Sequence, residues 1–389
     1  MSKRRNQDDN NNKKSRVRKT DPIKSLINRI EESNISENGK EIAIQRLTNG
    51  TEYEKYKAVE WCENLLKIPF KKMAKLPVNK KTDITKIHDY FDKVKNILDE
   101  AVYDMQTVKD EIIQYIAQFI STNNKAMPRI LGLVGVAGCG KTKIIRTGLS
   151  PCLNRPIKCI SMGGIRDSSH FTGFEYTYAG SRYGMLVQSL IETKVMNPII
   201  FMDELDKVST GHDGQEIINM LIHITDPVQN HTFTDKYFSE INIDLSKVVF
   251  IFSFNDEKLI HPILKDRIHI VKVPDPDLKA KVIIGKNYLP KEILPNIGFD
   301  INDFILSENI LKFIIQEYCS NDKGIRGLKH ILESIFLKIN AIRYMKTSKY
   351  KSLKTITFPL ELTESIVSEL IIKNQRNVSG HCNDTQKYK

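Results

Sequence analysis

The residues most able to do chemistry are Gly135-Val136-Ala137-Gly138-Cys139-Gly140-Lys141-Thr142, which match the phosphate-binding pattern GxxxxGK[ST]. Glycines let the backbone curl so that successive N–H groups face a β-phosphate at a helix N-terminus. Lys141 is spaced to reach the β- and γ-phosphates, and Thr142 to offer its hydroxyl to Mg2+. Downstream, the apolar run Ile199-Ile200-Phe201-Met202 leads straight into Asp203-Glu204. Two carboxylates at the C-terminal end of a buried strand are costly unless a metal or a water meets them. Asp203 is therefore expected to hold Mg2+ through its waters, and Glu204 to polarise an attacking water. A second apolar run, Val248–Phe254, ends in Asn255, whose amide would orient that water; a simple strand-end turn is the alternative reading. Arg267 opens the last apolar run and Arg326 opens an amphipathic helix, and each by itself would be an ordinary solvated arginine.

These groups need a scaffold, and the hydrophobic pattern supplies one. Short continuous apolar runs at Ile130–Val134, Lys158–Met162, Ile199–Met202, Val248–Phe254 and Ile268–Val273 are separated by stretches long enough for helical crossovers. That is the signature of a parallel α/β sheet covered on both faces. Upstream, Pro22 to about Lys125 is helical in pattern: Pro69 ends one helix, and a second stretch, Ile84–Ile120, is broken near Asp99–Asp104. After Pro274 the strands are expected to stop. Leu328, Ile331, Leu332, Ile335, Phe336 and Ile339 form the clearest helical stripe there. The division predicted is a basic tail over 1–20, a helical segment over 21–95, an α/β ATPase domain over 96–274, a helical lid over 275–372 and a polar tail over 373–389.

Composition excludes several classes. The 389 residues are 40% hydrophobic and 27% charged, which is ordinary globular usage. No run approaches the ~18 apolar residues of a membrane helix, and the charged N-terminus has no apolar core, so it is not a secretory signal. The expectation is a soluble, intracellular chain. Its six scattered cysteines form no CxxC pair, which favours neither a zinc site nor a disulfide frame. The net charge of +12 invites a nucleic-acid reading. Half of it, however, sits in residues 1–20, where eight basic residues meet only Asp8 and Asp9. The tail reads as a nucleic-acid tether, as a nuclear-import signal (Lys13–Lys19) or as solvated polypeptide.

Longer strings are more specific than the phosphate loop. Ser161-Met-Gly-Gly-Ile-Arg-Asp167, Thr177-Tyr-Ala-Gly180, Asp203-Glu-Leu-Asp-Lys207, Asp226-Pro-Val-Gln-Asn230 and Gly324-Ile-Arg-Gly-Leu328, with Trp61–Pro69 and Val102–Lys109 upstream, resemble the AAA+ ATPase module of Lon-type proteases. The similarity runs from about residue 55 to 345. It implies a P-loop AAA+ sheet of strand order 5-1-4-3-2 with a helical lid, ATP and Mg2+ as cofactors, and a hexameric ring with each ATP at a subunit interface. It places Asn255 at the sensor-1 position, Arg267 as the arginine finger offered to a neighbour, Arg326 as sensor 2 and Tyr103 beside the adenine. It also places Tyr178-Ala179 in a pore loop that grips a polypeptide; Phe174, Tyr176, Tyr178 and Tyr183 crowd that Gly-rich stretch. Departures are Ala179 where a bulkier aliphatic is usual, Glu175 and Tyr176 where basic residues are usual, and Asp104 where a glycine is usual.

The resemblance puts a peptidase with a Ser–Lys dyad after the lid, whereas this sequence ends 44 residues beyond Met345. The expectation is an ATP-driven unfoldase or remodeller without its own peptidase. The alternatives are the ATPase component of a two-chain protease with a separate peptidase, a nucleic-acid-associated ATPase, and a scaffold that binds ATP without turnover. The full set of site residues argues against the scaffold.

Overall fold

A computed structural model describes residues 22–49, 51–123, 125–178, 180–209, 211–345, 353 and 356–371. Both expected tails lie outside the described residues. The chain divides into two compact units. One runs to Lys72 and takes in Thr172–Met196 and Thr234–Ile243; the other holds Met73–Phe171, Asn197–Phe233 and Asp244 onward. No helix among the described residues is long and apolar enough to cross a membrane.

The first unit begins with helices α1 (Pro22–Glu31), α2 (Glu37–Thr48) and α3 (Glu52–Lys67). Ser36 caps α2 by accepting the Gly39 N–H, and Thr51 with Glu54 forms a reciprocal capping box on α3. Helix α3 stops at the residue before Pro69, whose ring disfavours helical backbone at Ile68. The predicted boundary at 95/96 does not divide the chain. Val94 and Leu98 of α4 (Ile84–Ala101) are fully buried in the same cluster as Leu131 and Ile145, so the unit ends at Lys72 instead.

In the second unit α4 is separated from α5 (Gln106–Ser121) by a break where Asp104 and Met105 both adopt left-handed backbone, with φ of 60° and 58°. Five parallel strands follow: β1 (Leu131–Val134), β2 (Ile157–Ser161), β3 (Ile199–Asp203), β4 (Val249–Phe254) and β5 (His269–Lys272). Their order across the sheet is β2-β3-β4-β1-β5, the predicted 5-1-4-3-2 read from the other edge. Residues 141–153 form the helix after β1, with a π turn at Ile144–Leu149; we call it α6. Further helices are α7 (Met185–Thr193) in the first unit, and α8 (His212–Thr225) and α9 (Pro262–Arg267) in the second.

Among the described residues the lid consists of α10 (Leu278–Asn287), α11 (Leu289–Ile297), α12 (Glu308–Tyr318), α13 (Arg326–Arg343) and α14 (Glu364–Leu370), around a hydrophobic cluster of its own. Strands do not stop at Pro274: Phe304–Ile305 pairs in parallel with Leu360–Glu361. Two residues are too few to show an alternating pattern, which is why the apolar period misses them.

Candidate active site

Most of the polar groups singled out above converge at one end of the sheet because parallel strands all end there. The turn after β1 carries Gly135, β3 ends in Asp203, and β4 delivers Ser253 and then Asn255. Gly138, Lys141, Thr142, Asp203, Glu204 and Asn255, together with residues of the lid, line a cavity of about 310 Å3, a size typical of small-molecule sites. Gly138 and Gly140 hold φ of 77° and 102°, a left-handed curl open to glycine.

Lys141 begins α6. Its Nζ donates to Gly135 O at 2.6 Å, Val136 O at 3.1 Å and Asn255 Oδ1 at 2.9 Å. All three acceptors are neutral, so the ammonium charge is left for an anion, and this donor set fits a polyphosphate. Thr142 Oγ1 donates to Asp203 Oδ2 at 3.1 Å, while Ser253 Oγ and the Glu204 N–H (3.0 Å) both donate to Asp203 Oδ1. The hydroxyl and carboxylate proposed for Mg2+ are thus adjacent, and their oxygens suit a hard cation. Burial pushes the Cys139 thiol up against the opposing pull of Lys141, which keeps it a neutral packing group.

Glu204 has a left-handed backbone, φ 61°, and a non-glycine residue held there costs on the order of 1–3 kcal/mol. The conformation turns its carboxylate toward β2, where Ser161 Oγ donates to Oε2 at 3.3 Å. Ser161 and Ser253 were given no role from sequence. Ser253 had a readable signal, one hydroxyl in an otherwise apolar, fully buried strand.

Toward the lid, Tyr103 packs edge-on against Tyr288 at 6.3 Å, and the Tyr288 hydroxyl donates to Asp99 O at 2.8 Å. Asp104, where the resemblance expects glycine, is one of the two left-handed residues beside this corner. Glu292 lies between Lys143 (3.0 Å) and Lys329. Burial pushes its carboxyl up, but the hydrogen bonds from the two lysines outweigh this and hold it below its ordinary value. Arg326 opens α13 and lines the cavity.

Gly324 explains how the lid meets the phosphate loop. The Ile325 N–H donates to Gly138 O at 3.1 Å, and a Cβ on Gly324 would stand 2.2 Å from Ala137 O. Gly324→Ala therefore forces main chain apart at the loop itself. Overpacking of this kind costs roughly 1–3 kcal/mol, so calorimetric titration should show affinity for a non-hydrolysable ATP analogue weakened by roughly 5- to 150-fold. Unchanged affinity would mean that the loop yields freely.

Two predicted groups lie elsewhere. Arg267 does not line the cavity; its Nη2 donates to Asp226 Oδ2 at 3.1 Å. Tyr178 belongs to the first unit and is 64% exposed, and Ala179 lies outside the described residues.

Residues 131–274 match the family described as ATPase family associated with various cellular activities (AAA). A Lon protease homolog of Acanthamoeba polyphaga mimivirus is 39% identical over 276 residues, 70% of this chain and 27% of that protein. The Lon protease of Clostridium beijerinckii is 32% identical over 382 residues, 96% of this chain and 44% of that protein. The mitochondrial Lon protease homolog of Kluyveromyces lactis is 34% identical over 255 residues, 65% and 23% of the two chains. The chain spans less than half the length of these curated relatives.

Proposed function

We propose that this chain acts as a Lon-like AAA ATPase, hydrolysing ATP in a homo-oligomeric, hexameric ring and using the turnover to unfold or remodel polypeptides. The hydrolytic part rests on one observation: Lys141, Thr142, Asp203, Glu204 and Asn255 line a single cavity at the strand ends. In this reading Lys141 gives up its neutral acceptors for the β- and γ-phosphates, and the curled loop offers its N–H groups. Thr142 and Asp203 hold the metal, Mg2+, which when bound neutralises charge on the phosphate oxygens. Glu204 accepts the proton of the attacking water, Asn255 fixes the direction of approach, and Arg326 brings the lid's charge to the phosphates. Tyr103 and Tyr288 flank the base.

The polypeptide part is supported by Tyr178, a large ring left 64% exposed. Aromatic rings give large contact area for little conformational entropy, which suits a transient grip on any sequence. Cleavage of peptide bonds, named in the relatives, is not part of this proposal.

The test is ATP hydrolysis by the purified protein alone, with an unfolded polypeptide and with DNA. Stimulation by the polypeptide and not by DNA is expected; the reverse would replace this reading with a nucleic-acid-directed one. Tyr178→Ala should leave the basal rate unchanged and abolish the polypeptide's stimulation. A variant still stimulated like the parent would remove Tyr178 from the grip.

A further inference from the structure

The segment 173–184, which carries Tyr178, is tied down at both ends by two successive residues. The Gly184 N–H donates to Asp235 Oδ2 at 2.7 Å, the Tyr237 N–H donates to Asp235 Oδ1 at 2.9 Å, and the Lys236 N–H donates to Thr172 O at 2.7 Å. Within the neck, the Phe174 N–H donates to Arg182 O at 3.0 Å. Gly173 fits only because it has no side chain: a Cβ there would lie 2.8 Å from Asp235 Oδ1, from Arg182 O and from Gly184 N. Asp235 is itself fully buried. An isolated carboxylate is expensive to bury, so one placed at a loop neck is retained for the backbone donors it collects. Burial pushes its carboxyl up to about 7, against the pull of the Gly184, Tyr237 and Phe238 N–H groups and the Lys236 charge.

A second fastener holds the flank. The guanidinium of Arg46, on α2, lies 4.5 Å from the Trp61 ring and 4.9 Å from the Tyr176 ring, and donates to Glu240 Oε2 at 2.8 Å. It is thus wedged between α3 and the gripping segment. Tyr183 stacks on Phe238 at 5.9 Å, and Trp61 Nε1 donates to Tyr237 O at 2.9 Å, closing the aromatic cluster from the other side. Only a planar cation can lie against two rings while hydrogen-bonded at its edge.

We propose that Asp235 and Arg46 are the positioning residues of the gripping segment, a mount that passes force on Tyr178 into helices α2 and α3. The proposal rests on the polypeptide-gripping reading above. A loop without such a neck would yield under tension; one stapled at 172, 184 and 176 moves with the body that carries it. Neither residue touches nucleotide in this scheme.

Amide hydrogen exchange and ATP turnover test the two halves separately. In the unmutated protein the Gly184 amide should be protected, and Asp235→Asn should speed its exchange about tenfold, the loss of one hydrogen bond of roughly 1–1.5 kcal/mol. Arg46→Lys keeps the charge and the Glu240 partner but loses the stacking, and should speed exchange around 174–176 by a few-fold. In both variants basal ATPase should match the parent, while maximal stimulation by an unfolded polypeptide falls about threefold or more. Should Asp235→Asn fail to fold, the parent's Gly184 protection and Arg46→Lys still decide the matter. An unprotected Gly184 amide, or full stimulation in Arg46→Lys, would overturn the mount. If Tyr178→Ala is stimulated like the parent, the gripping reading fails instead, whatever the exchange shows.

Discussion

Glu204→Gln is expected to keep ATP bound and to slow its hydrolysis by roughly 10²–10⁴, the usual share of a positioned general base, or about 3–5 kcal/mol of barrier. The substitution is nearly isosteric, and an amide oxygen can still accept from Ser161 Oγ as the carboxylate does at 3.3 Å. The left-handed backbone at residue 204 is as tolerable to glutamine as to glutamate. What changes is the capacity to take a proton from water. Binding should survive because the groups proposed to face the phosphates, Lys141 and the loop N–H groups, are untouched, and Asp203 keeps its donors Thr142, Ser253 and the main-chain N–H at 204. Lys141→Ala is the contrasting variant, expected to lose affinity first. Single-turnover hydrolysis beside equilibrium binding of labelled nucleotide separates the two. Turnover at the parental rate in Glu204→Gln would remove Glu204 from the chemistry, and a parallel loss of affinity would make it a binding group.

Much of this site was legible in the sequence because its signals are local. Eight consecutive residues specify the loop, and a continuous apolar strand announces the carboxylates at its end. The five strands fell within a residue or so of the apolar runs, since strands covered on both faces need no alternation to be seen. What stayed hidden depends on contacts between distant segments. The first unit is assembled from three stretches of chain, and no period in the sequence joins Thr172–Met196 to α3. Asp235 looks like any loop aspartate until its burial is known. Ser161 and Gly324 acquire meaning only from what lies opposite them, a carboxylate in one case and a carbonyl in the other. The lid's paired strands are simply too short to carry a pattern.

Arg267→Ala should reduce turnover by roughly 10³–10⁵ if this residue supplies a neighbour's site, as arginine fingers do in other nucleotide hydrolases, or about 4–7 kcal/mol. The topology supports action between subunits. Lys141, Asp203 and Asn255 stand at the C-terminal ends of the strands, whereas Arg267 precedes β5 and so lies at the opposite edge. Leu131 pairs with His269 and Val134 with Lys272, so roughly 10 Å of strand separates the two levels at ~3.3 Å per residue. Among the described residues of its own chain Arg267 engages Asp226 alone, through a hydrogen bond of 3.1 Å. Val228 N–H and Arg267 together hold the Asp226 carboxyl below its ordinary value despite the opposing effect of burial. Among the described residues one donor of five is used, which leaves the rest of the guanidinium for a phosphate. Mixing decides the point. Arg267→Ala retains an intact loop and Lys141→Ala an intact finger, so a ring containing both would hold some complete sites. Activity in the mixture well above the sum of the separate variants is the expected result. A mixture no more active than its parts, with parental melting temperatures and assembly in each, would place Arg267 outside the catalytic machinery and leave its bond to Asp226 as a structural one.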